Sequence, residues 1–274
     1  MIDSGIRLPW NRRLKLLIAY DGSSFSGWQR QKHDRTIQGE IEKCLSIMTN
    51  EDIFLHGAGR TDGGVHAEGM VAHFDCSSRI PDQNFMRGLN SMLPGAIRIL
   101  DTNTCDPSFH ARFSAIGKKY HYTVFTGKVH PPRIRLYSHH VTAPLNLATI
   151  NSCLQAVVGT HDFSSFENSG SRDKSLTGGR GAVRTIYSAR LLQQDKDCLV
   201  FEFIGDGFLK NMVRNLVGTI LEAGRGKFDA EQFAAILAAK DRSSGGPTAP
   251  PQGLFLKQVF YQDRTLDHCI SGKD

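Results

Sequence analysis

The segment Gly57-Ala58-Gly59-Arg60-Thr61-Asp62-Gly63-Gly64-Val65-His66-Ala67 sets ionisable side chains among closely spaced glycines. Glycine admits positive φ and lets a ligand approach the backbone closely. Arg60 and Asp62 are two residues apart, so in extended chain both would point the same way. A guanidinium at that position keeps a carboxylate ionised. An ionised, oriented carboxylate can act as a covalent nucleophile. Spacing alone favours a plainer reading, a tight turn carrying a surface ion pair.

Other chemistries fail on specific residues. A phosphate-binding P-loop needs G-x-x-x-x-G-K-[ST], which does not occur. A dinucleotide fingerprint should open a helix, whereas here a strand pattern follows the glycines. His66-Ala67-Glu68 supplies the H-x-E half of a zinc base deaminase, but the P-C-x-x-C half is missing. The histidines show no H-E-x-x-H spacing, and none of the 6 cysteines forms a C-x-x-C pair. No metal site is expected, and scattered cysteines in a chain of this length read as reduced thiols. The 33 basic against 27 acidic residues leave a net charge of +6, which leans toward a polyanionic partner such as RNA. No signal peptide is visible, and the apolar runs are too short to span a bilayer. The expectation is a cytoplasmic protein with no membrane partner.

The elements that must position the 57–69 loop follow from periodicity. Leu14 to Tyr20 reads as a strand ended by Asp21-Gly22. Thr36 caps a helix whose apolar face is Ile37, Ile41, Leu45 and Met48. Ile53 to Leu55 start a second strand, and Met70 to Phe74 read as a third. Phe85, Leu89 and Met92 mark a short helix, and Ile97 to Leu100 a fourth strand. This order is the split βαβ, or ferredoxin-like, unit. The second half repeats it: a strand at 120–125, a helix at 147–157, strands at 183–192 and 199–204, a helix at 209–220, an added helix at 229–239 and a strand at 255–261. The fold class is α+β, with two ferredoxin-like (βαββαβ) halves forming a mixed, mainly antiparallel sheet with a central cleft. The halves are expected at 1–113, holding the catalytic loop, and 114–274. Residues 1–12 and 263–274 read as loose tails, and 167–180 and 242–252 as mobile loops.

Across these elements the sequence resembles the TruA family of tRNA pseudouridine synthases. The resemblance is carried by Tyr20-Asp21-Gly22, Gly27-Trp28-Gln29-Arg30-Gln31, Gly59-Arg60-Thr61-Asp62 and Gly64-Val65-His66. Phe109 to Ser114, Lys119 to Tyr122, Asp162 to Phe166, Met212 to Gly218 and Ala249 to Leu256 continue it in order. It runs from about Leu14 to Tyr261, with one departure: Gly63 stands where many members have alanine.

The resemblance implies an enzyme that needs no metal, cofactor or guide RNA. It would isomerise uridines at positions 38, 39 and 40 of the tRNA anticodon arm. Asp62 would be the nucleophile, attacking the base or the sugar C1′, and Arg60 would orient it, pair with it or fill the space of the flipped base. Tyr120 would contact the uracil. Arg112 and Arg214 would contact the RNA, with Arg30, Lys118 and Lys119 as further basic candidates. Phe163 and Phe166 would line the cleft or pack in the core. A homodimer in which one tRNA touches both subunits is also implied. The target nucleotide must leave the stem to be reached, and RNA read this way is recognised by shape.

Overall fold

In β1 (Arg12–Tyr20) every second residue is buried, Leu14, Leu16, Ile18 and Tyr20 forming the inner face. The computed structural model describes residues 12–168 and 180–271. The chain divides into two compact units between Ala115 and Ile116.

In the first unit, the Thr36 side chain accepts from the Gly39 N–H and starts α1 (Ile37–Thr49). The helix ends at Asn50, whose φ of 57° is left-handed. β2 (His56–Gly57), β3 (His66–Cys76), α2 (Asp82–Met92) and β4 (Ile97–Cys105) complete the unit. The strand order is β4-β1-β3-β2, antiparallel throughout. In the core, Phe74 of β3 meets Phe85 of α2 edge-on at 5.7 Å.

Two expectations change here. The second strand does not start at Ile53–Leu55, because the backbone of Leu55 is taken by side chains. Its N–H donates to Glu42 Oε1 and its carbonyl accepts from Gln38 Nε2. Pairing with β3 begins only at His56 and lasts two residues. β3 starts at His66 rather than Met70, so the glycine-rich loop is confined to 58–65.

The second unit contains β5 (Gly117–Phe125), β6 (His139–His140), α3 (Leu147–Ala156), β7 (Gly159–Asp162), β8 (Val183–Asp195) and β9 (Cys198–Gly205). α4 (Met212–Gly224), α5 (Ala230–Ala239), β10 (Leu254–Phe260) and α6 (Asp263–Ser271) follow. The strand order is β10-β5-β9-β8-β7, antiparallel, with β6 added parallel to β5. Each unit therefore carries the ferredoxin-like order, fourth strand beside first, then third, then second.

The expected loose tail at 263–274 is a helix up to Ser271. Leu266 and Cys269, one turn apart, are buried with Ile204 and Phe260. Its last three residues lie outside the described residues, as do 1–11 of the other tail and 169–179 of the loop expected at 167–180. The 242–252 loop is bonded to α4 rather than mobile. Gly246 N–H donates to Thr219 Oγ1, Thr248 Oγ1 donates to Asn215 Oδ1, and Ala249 N–H donates to the Arg214 carbonyl.

Candidate active site

The loop bearing Asp62 is clamped by the turn that leaves β1. Trp28 N–H donates to the Thr61 carbonyl at 3.0 Å, and Gly64 N–H to the Phe25 carbonyl at 3.4 Å. The Tyr20 hydroxyl lies 2.8 Å from Thr61 Oγ1, both side chains being buried. Gly27 is at φ +100°, and a Cβ there would fall 2.5 Å from the Thr61 carbonyl oxygen. A Cβ on Gly22 would fall 2.0 Å from the Val65 carbonyl oxygen. These glycines are required because the two segments touch backbone to backbone. At the loop exit, His66 Nδ1 is 3.2 Å from both the Gly22 N–H and Asp21 Oδ1. Unprotonated at Nδ1 it accepts from the first; protonated there it donates to the second, never both at once.

Asp62 is half-buried, between the buried Thr61 and the half-buried Gly63. The Val65 N–H donates to its carbonyl at 3.2 Å, and Gly64 sits at φ +77°. The chain thus turns over residues 62–65, immediately after Arg60 and Thr61. Arg60 is exposed, and among the described residues no ion pair within 4.0 Å joins it to Asp62.

Arg112 is exposed beside the chain that leaves β4, its guanidinium 5.7 Å from the Phe113 ring centroid. That chain is fixed by His73, whose Nδ1 accepts from the Ala111 N–H at 3.1 Å. Burial, with the neighbouring His110, Arg13 and His56, pushes the His73 pKa down to about 4. His73 is therefore neutral at pH 7 and able to accept.

In the second unit, Tyr120 of β5 is buried and meets Phe208 edge-on at 5.0 Å. Arg214 of α4 is half-buried. Its Nε donates to the Ala249 carbonyl at 2.8 Å and its Nη1 to Asn211 Oδ1 at 3.0 Å. Lys119 points to a different task. Its Nζ is 3.0 Å from the buried Glu202, which His121 and Arg190 also approach, at 2.9 and 2.7 Å. Burial opposes the charge on Glu202. The hydrogen bonds from His121 and Lys119 and the charges of Lys119 and Arg190 outweigh it, holding the carboxyl down at about 2. Phe163 and Phe166 are fully buried core, Phe166 packing on Phe233.

The sequence profile of a family described as tRNA pseudouridine synthase matches residues 16–114 and 153–262. A tRNA pseudouridine synthase A 1 of Desulfotalea psychrophila is 58% identical, over 91% of this chain and 100% of its own. The tRNA pseudouridine synthase A of Latilactobacillus sakei is 43% identical, over 92% of this chain and 99% of its own. The chain belongs to the tRNA pseudouridine synthase family. It isomerises uridine to pseudouridine in tRNA. A solved Cbf5–Nop10–Gar1 complex aligns over 94% of this chain and 64% of its own, at 12% identity and a TM-score of 0.34.

In this tRNA pseudouridine synthase the loop bearing Asp62 is held by the turn that leaves β1. The Gly22–Trp28 turn and the Gly59–His66 loop are one packed unit. Likewise Gly218 of α4 leaves no room for a Cβ, which would lie 1.8 Å from the Pro247 carbonyl oxygen. Sequence reasoning missed Thr61, Tyr20 and His73 as supports. The available signal was a buried-type tyrosine ending β1 and a histidine amid the apolar residues of β3. Among the described residues no helix is long and apolar enough to cross a membrane. Nor is any group of three or more histidine, cysteine or acidic residues placed to hold a metal ion.

Proposed function

We propose that Asp62 is the covalent nucleophile of this isomerisation, acting on a flipped-out uridine at position 38, 39 or 40 of the anticodon arm. Arg60 orients or pairs with Asp62 once RNA is bound, Tyr120 contacts the uracil, and Arg112 and Arg214 hold the RNA. The enzyme acts as a cytoplasmic homodimer without cofactor or guide RNA.

The observation that carries the reading is a half-buried carboxylate on a loop whose preceding residue is fixed through both its carbonyl and its hydroxyl. A nucleophile held this way approaches its target with little loss of freedom on reaction. The chemistry sets the remaining demands. The N1–C1′ bond breaks, the base turns, and C5 bonds to C1′. C5 then loses its hydrogen as a proton, and N1 takes one up, so the product is an isomer. The freed base must be kept from water and from escape. Extruding the nucleotide costs a few kcal/mol, offset by contacts in the pocket.

The test is release of tritium from tRNA labelled at uracil C5, comparing the wild type with Asp62→Asn. The expected result is release by the wild type and none by the variant under single-turnover conditions. Equal release by both would remove Asp62 from the mechanism. Tight tRNA binding by the wild type with no release would make the protein an RNA-binding module.

A further inference from the structure

Gln38 and Glu42 sit one turn apart on α1, 8% and 5% exposed. Polar side chains buried to this degree are costly unless bonded. Their bonds run to the two chain segments that bracket the Asp62 loop. On one side, Gln38 Oε1 accepts from the Arg30 N–H at 2.8 Å and from Gln29 Nε2 at 2.9 Å, and the Gln38 N–H donates to the Trp28 carbonyl at 3.0 Å. On the other side, Gln38 Nε2 donates to the Leu55 carbonyl at 3.0 Å, and the Leu55 N–H donates to Glu42 Oε1 at 2.9 Å. Gln38 Nε2 also donates to Glu42 Oε1 at 3.0 Å and joins the two sets. Glu42 Oε2 lies 3.1 Å from Arg30 Nη1, a charge contact outside hydrogen-bond geometry.

Both segments pass this restraint to the loop. Trp28 N–H holds the Thr61 carbonyl, next to Asp62. The Trp28 indole lies against Gly57, where a Cβ would come 2.6 Å from the ring. Leu55 precedes that contact by two positions, and the Ala58 N–H then bonds to the Val71 carbonyl at 2.8 Å.

We propose that Gln38 and Glu42 are positioning residues for the isomerisation: a buried amide–carboxylate pair that fixes the spacing of segments 28–30 and 55–57 and thereby the aim of the Asp62 carboxylate. This rests on the reading of Asp62 as nucleophile. Both side chains are buried, so their loss acts on the chemical step and leaves RNA affinity nearly unchanged. A misplacement of about 1 Å from a remote change costs on the order of a hundredfold in rate.

Asn90 of α2 supplies the control. It clasps Ile99 from both sides, Nδ2 donating to the carbonyl and Oδ1 accepting from the N–H, each at 2.8 Å. It lies in the same unit and, by these bonds, touches neither bracketing segment.

The experiment measures single-turnover tritium release, tRNA Kd and melting temperature for the wild type, Gln38→Ala, Glu42→Ala, Glu42→Gln, Asn90→Ala and Asp62→Asn, well below each melting point. The expected rate loss is about ten- to a hundredfold for Gln38→Ala and Glu42→Ala, with Kd within about threefold of wild type. Glu42→Gln keeps an acceptor for Leu55 and Gln38 and recovers most of the rate. Asn90→Ala lowers the melting temperature and keeps the wild-type rate. If Gln38→Ala does not fold, Glu42→Ala against Glu42→Gln decides alone. Rates that follow melting temperature in all variants, Asn90→Ala included, overturn the proposal, as does a loss confined to Kd. Should Asp62→Asn remain active, the reading of Asp62 fails and the positioning role falls with it. An inert Asp62→Asn beside a fully active Gln38→Ala defeats the positioning role alone.

Discussion

The two units share one strand order and differ in how the second strand meets the third. In the second unit, β8 runs 13 residues and turns into β9 through Lys196 and Asp197. In the first unit the corresponding strand is the two-residue β2, and residues 58–65 intervene before β3. Continuous pairing fixes a hairpin cheaply, because each backbone group finds a partner in the neighbouring strand. Where pairing is withdrawn, the backbone must be held another way. Here that is done by point contacts from Tyr20, Trp28, Gln38 and Glu42. The loop bearing Asp62 thus occupies the place of a missing hairpin, and its rigidity depends on these few side chains.

Two glycines with similar backbones should respond very differently to a methyl group. Gly27 has φ +100° and Gly159, on the edge strand β7, φ +108°. Alanine strains both, at about 1–3 kcal/mol. Only at Gly27 does the new Cβ also meet backbone, 2.5 Å from the Thr61 carbonyl oxygen and 3.0 Å from the Asp62 carbonyl carbon. At Gly159 the nearest atom is His161 Nε2, at 3.4 Å. Gly27→Ala is expected to cut turnover by about a hundredfold in protein that remains folded. Gly159→Ala should lower the melting temperature and leave turnover per folded molecule intact. Tritium release with parallel melting curves checks both, and equal turnover losses would erase the distinction between the units.

The regular sheet of the second unit has its own vulnerability, which is ionic. Glu202 is approached by Lys119, His121 and Arg190 from β5 and β8. Glu202→Ala leaves these groups without their common partner, at a cost of about 3 kcal/mol, readable by urea unfolding. The folded carboxyl sits at about 2 against 4.5 ordinarily. Its contribution is therefore complete above pH 4.5 and is lost as pH falls from 4.5 toward 2. Glu202→Gln should flatten the stability profile in that window. A profile unchanged between pH 4.5 and 2 would show that the charge on Glu202 is not what holds the three strands.

Much of this arrangement was legible in the sequence, and what was not has a physical reason. β1 and α1 show their periods because one face of each is buried locally, and Thr36 announces the helix start. The glycines around Asp62 mark the loop. The shortening of the second strand is invisible, since it depends on Glu42 and Gln38 capturing Leu55 from 13 and 17 residues away. Lys119 reads as a solvent charge until β9 brings Glu202 beside it. A lone acid inside the apolar run Leu199–Ile204 was the hint. Gln38 likewise lies between Ile37 and Ile41 on the inner side of α1, where a polar residue needs partners. α6 was missed because only Leu266, Cys269 and Ile270 are apolar in a short polar segment.

Acid also acts on the first unit, with a smaller expected effect in a different window. His73 has a folded pKa of about 4 against 6.5 ordinarily, so protonation favours the unfolded chain. Its contribution is complete above pH 6.5 and declines as pH falls from 6.5 to about 4. His139 of the second unit, also held near 4 by burial, loses stability over the same range. The informative measurement is therefore the difference between wild type and His73→Asn, whose amide oxygen can still accept from Ala111. That difference should change by on the order of 1–2 kcal/mol between pH 6.5 and 4.5. Parallel curves would mean that folding does not hold the His73 imidazole in its neutral, accepting form.

The smallest effect tests whether every glycine of the loop is equally constrained. Gly63 has no left-handed φ, and its nearest Cβ neighbour would be the Phe25 carbonyl oxygen at 3.4 Å. That is ordinary contact distance, and a methyl group fits without displacing Asp62. Gly64, at φ +77°, offers no such tolerance. Gly63→Ala also removes conformational freedom from the unfolded chain, a gain of about 0.4–1 kcal/mol where the backbone is compatible. The expected outcome is turnover within twofold of wild type and equal or slightly higher stability. A tenfold loss of turnover would mean that the backbone at 63 moves during the reaction, and that the clamp from Trp28 and Tyr20 releases the loop rather than holding it.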